Sequence, residues 1–287
     1  MRILKIGDKS FNIDKKTIIM GVLNVTPDSF SDGGDFYKKK DAIDHAIQMK
    51  KDGADIIDIG GESTRPGSKP VSAEEELRRI LPILEELKDN IDIPISIDTY
   101  KSKVAKKTLD SGASMINDIS ALRYDRKLAG IISDYNATIC LMHMKGTPNN
   151  MQKNPVYNDV IKEIYDFLKK RILYAKSKGI NDEKIIIDPG IGFGKRTGGV
   201  IEDNCEIIRR LDEFKNLGYP LLIGTSRKSF IGNILGKNKM LPVEKRLDGS
   251  IISALISIVN GADIIRVHDV KQTKKYATIV DKIVKKT

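Results

Sequence analysis

Short apolar runs recur along the whole chain, at residues 18–25, 55–60, 94–98, 115–118, 138–143, 185–188, 220–224 and 263–268. Each is built mostly from Ile, Val, Leu or Met and lacks a clear polar alternation. Such runs suit strands buried on both faces, as in a parallel sheet. Helix-like segments lie between them, at 41–51, 72–87, 102–109, 126–133, 159–177, 203–217, 244–259 and 271–282. The second opens Ser72-Ala73-Glu74-Glu75, with the spacing of a capping box. Gly53, Gly112, Gly179, Gly218 and Gly261 fall just past helix ends, where a left-handed cap favours glycine. Eight strands alternating with eight helices over 287 residues predict an α/β fold of the (βα)8 TIM-barrel type. No linker or composition shift divides the chain, so residues 1–287 are expected to form one domain.

In such a barrel the site lies at the C-terminal ends of the strands. Those ends carry Asn24, Glu62-Ser63-Thr64-Arg65, Asp98, Asn117-Asp118, His143, Asp188, Ser226-Arg227-Lys228, Arg266 and His268. The strand interiors are almost purely aliphatic, so the polarity is directional. Asp98, Asn117, Asp188 and Lys228 are expected to converge on one mouth. Two carboxylates, an amide and an ammonium suit a flat heterocycle with amidine-like N–H groups and a carbonyl. A buried carboxylate needs a partner, although any one Asp here is about as well explained as a helix cap. Arg65, Arg266 and His268, with Asn24, are candidates for a phosphate or pyrophosphate pocket.

Two βα loops are long. Residues 24–40 (NVTPDSFSDGGDFYKKK) carry Phe30, Phe36 and Tyr37, and residues 62–71 (ESTRPGSKPV) carry two prolines and a glycine. Long loops in a compact barrel are usually functional lids. Residues 190–195 (GIGFGK) resemble a phosphate-binding loop only weakly, because the GxxxxGK[ST] spacing is missing.

Composition narrows the partners. The chain has 49 Lys and Arg against 39 Asp and Glu, a net charge of +10. The lysines are scattered and lack interleaved aromatics, so nucleic acid is not an expected partner. The positive balance fits an anionic substrate. Cys140 and Cys205 do not read as a disulfide framework. No run has the length of a membrane helix and the first residues lack the apolar run of a signal peptide, so a cytoplasmic location away from membranes is expected.

At this point the motifs resemble a known family, dihydropteroate synthase of the folate pathway. The matching segments are 20–34 (MGVLNVTPDSFSDGG), 58–67 (DIGGESTRPG), 96–99 (SIDT), 116–120 (INDIS), 141–146 (LMHMKG), 187–195 (IDPGIGFGK), 224–230 (GTSRKSF) and 265–269 (IRVHD). The resemblance implies a (βα)8 barrel, usually a homodimer, that joins 6-hydroxymethyl-7,8-dihydropterin diphosphate to 4-aminobenzoate and releases pyrophosphate. It implies that Asp98, Asn117, Asp188 and Lys228 bind the pterin, with Met142 and Phe193 packed around it and Arg266 over the ring. Asp98, Asp188, Lys228 and Arg266 are thereby implied as the catalytic set. Thr64, Arg65, Arg266 and His268 would hold the diphosphate, and Asn24 would be the Mg²⁺ ligand beside it. Phe30, Pro66, Lys228 and Ser229 would border the aminobenzoate site, which is also the implied target of sulfonamides.

Residues 196–203 (RTGGVIED) are longer than the family's usual connection there. They either lengthen the loop beside the pterin pocket or bulge into solvent. Two rivals share the barrel, a pterin-dependent methyltransferase domain and a non-catalytic pterin- or RNA-binding barrel. The NVTPDSFSDGG and ESTRPG loops, with Arg65, Arg266 and His268, favour the synthase.

Overall fold

The computed structural model describes residues 1–26, 35–65, 67–236 and 239–285, with only the backbone described for 35–38. A parallel sheet winds through β3 (Ile18–Asn24), β4 (Ile56–Gly60), β5 (Ile95–Asp98), β6 (Met115–Asp118), β7 (Thr138–Met142), β8 (Ile185–Asp188), β9 (Leu222–Ile223) and β10 (Ile264–Val267). Its order is β8-β7-β6-β5-β4-β3-β10-β9, and a parallel bridge from Ile187 to Leu221 joins the two edges into a barrel. The helices between the strands are α1 (Asp35–Lys51), α2 (Ala73–Asn90), α3 (Ser102–Asp110), α4 (Leu128–Asp134), α5 (Val160–Ser177), α6 (Asp203–Arg209), α7 (Ser229–Leu235), α8 (Leu247–Val259) and α9 (Val270–Val284). Ser72 caps α2 by accepting from the Glu75 N–H at 3.1 Å, as the capping-box spacing predicts. The five glycines expected past helix ends all have positive φ, from 86° at Gly179 to 109° at Gly112 and Gly261.

The interior explains the directional polarity of the strands. Two steps along a strand return to the same face. Ile56, Met115, Ile186 and Ile264 fill the lower barrel with Met20, Cys140 and Leu222. Two residues later on the same strands stand Asp58, Asn117, Asp188 and Arg266. The barrel is therefore apolar below and charged above. Aliphatic residues on the outward faces of the strands pack against the helices in a second, larger core.

Three elements differ from expectation. An antiparallel hairpin of β1 (Ile3–Ile6) and β2 (Lys9–Asn12) closes the apolar end, inserting Leu4 and Ile6 beneath Ile18 and Met115. The strand sequences, ILKI and KSFN, are broken by polar residues and lack the continuous apolar run that marks the barrel strands. The helix predicted at 203–217 divides at Arg210, where φ −108° and ψ 29° leave the α geometry, and continues as a 3₁₀ turn over Leu211–Leu217. Helix α7 is not among the predicted segments, because Gly232 and Asn233, weak helix formers, fall near its centre.

Candidate active site

Neighbouring strands bring three polar strand ends into register around Gly60. Asn24 pairs with Gly60, Gly60 with Asp98, and Asp98 with Asn117. Further round the barrel, Met142 pairs with Asp188. Arg266 reaches across the mouth from β10. Its Nε donates to Asp58 Oδ2 at 2.6 Å and its Nη2 donates to Asp98 Oδ2 at 2.8 Å. Asn117 donates to the same Asp58 oxygen at 3.1 Å. Asp58 thus orients both the guanidinium and the amide, and its side chain is completely buried.

One guanidinium shared by two carboxylates leaves charge in excess. Burial, followed by repulsion from Asp58 against the attraction of Arg266, lifts Asp98 to about 7. Asp58 and Asp98 each keep one buried oxygen, Oδ1, with no protein partner among the described residues. Such atoms are costly to leave unsatisfied. They give the mouth acceptor capacity that the protein itself does not use.

Asp188 forms the opposite wall. Its Oδ1 accepts from the Gly190 N–H at 2.7 Å, and burial raises it to about 6 despite the Lys228 charge. Burial and the nearby Arg266 charge lower Lys228 to about 8. The Lys228 ammonium stands 4.2 Å from the centre of the Phe193 ring, a cation–π contact. Met142 is buried with Ile119, Met144 and Met151, and Phe193 packs against that cluster. The mouth therefore has Asp98 and Asn117 on one side, Asp188 with the Lys228 ammonium on the other, and an apolar wall of Met142 and Phe193 beside them. Asp118, by contrast, is spent on its own turn, accepting from the Ser120 and Leu122 N–H groups at 2.7 and 2.6 Å.

The anion side is only partly assembled. His268 lies beside Ser226, its Nδ1 3.0 Å from the hydroxyl, and its own N–H donates to that oxygen at 3.2 Å. Burial and the charges of Arg266 and Arg227 push His268 down to about 3, so its ring is neutral in the unliganded protein. Thr64 is half-buried and Arg65 exposed. Their loop is pinned at both ends, because Glu62 accepts from the Val71 N–H at 3.0 Å, from the Tyr100 hydroxyl at 2.9 Å and from Lys101 at 2.5 Å. Ser229 is half-buried beside Lys228, at the first position of α7. Phe30 and Pro66 lie outside the described residues.

The family model described as pterin binding enzyme matches residues 20–268. The dihydropteroate synthase of Clostridium beijerinckii is 47% identical over 99% of this chain and 100% of its own length. The chain belongs to the dihydropteroate synthase family. It is thereby a transferase of folate biosynthesis. Two solved structures extend the likeness. A dihydropteroate synthase from Clostridium difficile, solved in the presence of pteroic acid, is 49% identical with a TM-score of 0.88, covering 96% of this chain and 100% of that one. The Xanthomonas albilineans enzyme in complex with 7,8-dihydropteroate is 36% identical with a TM-score of 0.86, covering 98% of each chain.

Several residues around this mouth are not singled out by the sequence alone. Asp58 is the chief one; its signal was a single carboxylate inside an otherwise aliphatic strand, at the inward-facing parity. Lys195 and Asn204 also support the mouth, and nothing in their spacing pointed there. The extra segment after Lys195 does not enter the mouth. Arg196 and Asp203 clamp its two ends at 2.7 Å, Thr197 donates to Glu202 at 2.7 Å, and Val200 at the tip is fully exposed.

Proposed function

We propose that the chain condenses 6-hydroxymethyl-7,8-dihydropterin diphosphate with 4-aminobenzoate to 7,8-dihydropteroate, releasing pyrophosphate. The observation that carries this reading is the pair of carboxylates, buried Asp188 and nearly buried Asp98, that share one mouth with the cations of Arg266 and Lys228. In the proposed complex the carboxylates and Asn117 hold the pterin's N–H groups and Lys228 donates to its carbonyl or ring nitrogen. Met142 and Phe193 border the ring, and Arg266 lies over it. The bond from the pterin methylene to the diphosphate oxygen breaks and pyrophosphate leaves with the electron pair. The arylamine nitrogen then attacks the cationic methylene and loses its proton. Arg266, Lys228, Arg65 and His268 favour the leaving charge electrostatically, and no protein nucleophile is needed. Ordered lid loops would exclude water that competes for the cation, with Phe30, Pro66 and Ser229 beside the aminobenzoate.

Mg²⁺ fits this site only together with the substrate. Asn24 offers one half-buried amide oxygen, and no group of three His, Cys, Asp or Glu side chains among the described residues forms a metal cage. Mg²⁺ commonly takes one or two protein oxygens plus phosphate oxygens and waters. When bound, the ion would neutralise charge on the diphosphate.

A homodimer is part of the same proposal. Helices α7 and α8 expose Ile234, Leu235, Ile252 and Ile256 around an apolar groove of about 410 Å³. A contiguous apolar face of this kind suits a self-complementary interface with a second copy. No helix among the described residues is long and apolar enough to cross a membrane, and a cytoplasmic location is the accompanying expectation.

The test of the function is direct. Purified protein given both substrates and Mg²⁺ is expected to form 7,8-dihydropteroate, detected by mass spectrometry. Binding of pterin without any product would leave a pterin-binding barrel and overturn the reading.

A further inference from the structure

The GIGFGK segment, too poorly spaced for a nucleotide loop, has another construction. Gly190, Gly192 and Gly194 all take positive φ (73°, 81° and 62°), and the tight turn they form aims the Gly190 and Phe193 carbonyls inward. At Gly190 no other residue fits, since a Cβ would lie 1.9 Å from the His143 carbonyl oxygen. Those carbonyls close around Lys195, which is completely buried. Its Nζ donates to Gly190 O at 2.8 Å and to Phe193 O at 3.0 Å, and lies 3.1 Å from His143 Nδ1. The three contacts match the three N–H donors of an ammonium. The same turn is held from outside by Asn204 Oδ1 on the Gly192 N–H at 2.7 Å and by Gln152 on Gly192 O at 2.6 Å.

Both ends of this turn are site groups. The Gly190 N–H holds Asp188, and Phe193 stands against Lys228. We propose that Lys195 is a positioning residue for the pterin, its buried ammonium fixing the 190–193 turn so that Asp188 and Phe193 hold the geometry the ring requires. Burial lowers Lys195 itself to about 7, so it is charged over the range near 6 in which Asp188 titrates, and that charge favours the ionised carboxylate. The groups around Lys195 are Asp188, Asp203, His143, Lys145 and Lys228. Those around Asp188 are Lys195, Lys228, Arg266 and the Cys140 thiol.

The experiment compares Lys195→Met and Lys195→Gln with wild type, using calorimetry with 6-hydroxymethylpterin as the probe and steady-state kinetics. Lys195→Met is expected to weaken pterin affinity by about tenfold or more, while KM for 4-aminobenzoate stays within about twofold. In Lys195→Met the acidic limb of the affinity profile moves to higher pH, because a cation facing Asp188 has gone. Lys195→Gln keeps N–H donors for the carbonyls without the charge. It is expected to recover part of the affinity but to retain the moved limb. A merely structural lysine would lower Tm and leave that limb in place. Unchanged pterin affinity, or an unmoved limb in both variants, overturns the proposal. So does failure of both variants to fold, since the ammonium would then be holding the fold rather than the site. The inference rests on the pterin reading of the site. Wild-type protein that binds no pterin sinks that reading, whereas wild-type binding with unaltered variants sinks only the role of Lys195.

Discussion

Asp58 and Arg266, 208 residues apart in the chain, meet at 2.6 Å in the barrel mouth, and the same guanidinium also binds Asp98 at 2.8 Å. Asp58 is buried beyond reach of solvent and also holds Asn117. The arrangement makes Asp58 the support on which Arg266 and Asn117 rest, the two groups assigned to the pterin in the proposed complex. Asp58→Asn is expected to lower kcat/KM for the pterin substrate by roughly 10- to 150-fold, the equivalent of losing a charged hydrogen bond of about 1.5–3 kcal/mol. KM for 4-aminobenzoate should move little. Equal effects on both substrates would contradict the assignment.

Arg266→Met removes the only positive partner given to Asp58 among the described residues. Breaking a buried ion pair from one side typically costs about 3–5 kcal/mol. Loss of activity accompanied by a clearly lower midpoint in urea is the expected result. A variant with wild-type stability would mean that water or a neighbouring cation compensates the carboxylates.

Asp188→Asn is expected to reduce pterin affinity to near undetectable levels, because it exchanges a charged acceptor for an amide that presents a donor to the ring. The minimum loss is about 1.5–3 kcal/mol. Calorimetry on the purified variant reads it directly, and unchanged affinity would remove Asp188 from the site.

The pH dependence follows from the raised carboxylates. Asp188 at about 6 and Asp98 at about 7 accept a proton as the medium becomes acidic, and a protonated carboxyl no longer accepts from two N–H groups. Pterin affinity should therefore fall as pH drops through that interval. The stability term has the opposite sense. A carboxyl whose folded pKa lies above its unfolded value of 3.8 stabilises the fold below that value, and this contribution is lost as pH rises towards 6 or 7. Pterin binding that improves below pH 6 would contradict the roles given to these groups.

The scaffold was legible because its cause is local. Aliphatic runs, helix periodicity and glycine after five of the predicted helices are all written in neighbouring residues, and strands such as 115–118 and 185–188 match to the residue. The polar strand ends were legible for the same reason, since a barrel turns strand termini into a site. What stayed hidden depends on contacts far apart in sequence. Asp58 reads as one residue of an apolar strand until Arg266 reaches it from the last strand. Lys195 reads as the end of a glycine loop until His143, 52 residues earlier, lies beneath it. His268 reads as a residue of an anion pocket that is cationic or can become so, and only its burial beside Arg266 and Arg227 shows that the ring is neutral in the unliganded protein.

Mg²⁺ should matter only when diphosphate is present. Asn24 supplies one oxygen, so the remaining ligands must come from the substrate and water. Calorimetry with 6-hydroxymethylpterin is expected to give the same affinity with magnesium or with a chelator, whereas the diphosphate substrate should bind more tightly with the ion. A strong magnesium requirement for the free pterin would contradict this placement.

The most direct measurement of the central claim is pyrophosphate release by the purified protein supplied with 6-hydroxymethyl-7,8-dihydropterin diphosphate, with and without 4-aminobenzoate. With both substrates and Mg²⁺, pyrophosphate and 7,8-dihydropteroate are expected in equal amounts, and Asp188→Asn is expected to abolish both. Pyrophosphate release that is absent, or that proceeds at the same rate in Asp188→Asn, would contradict that claim.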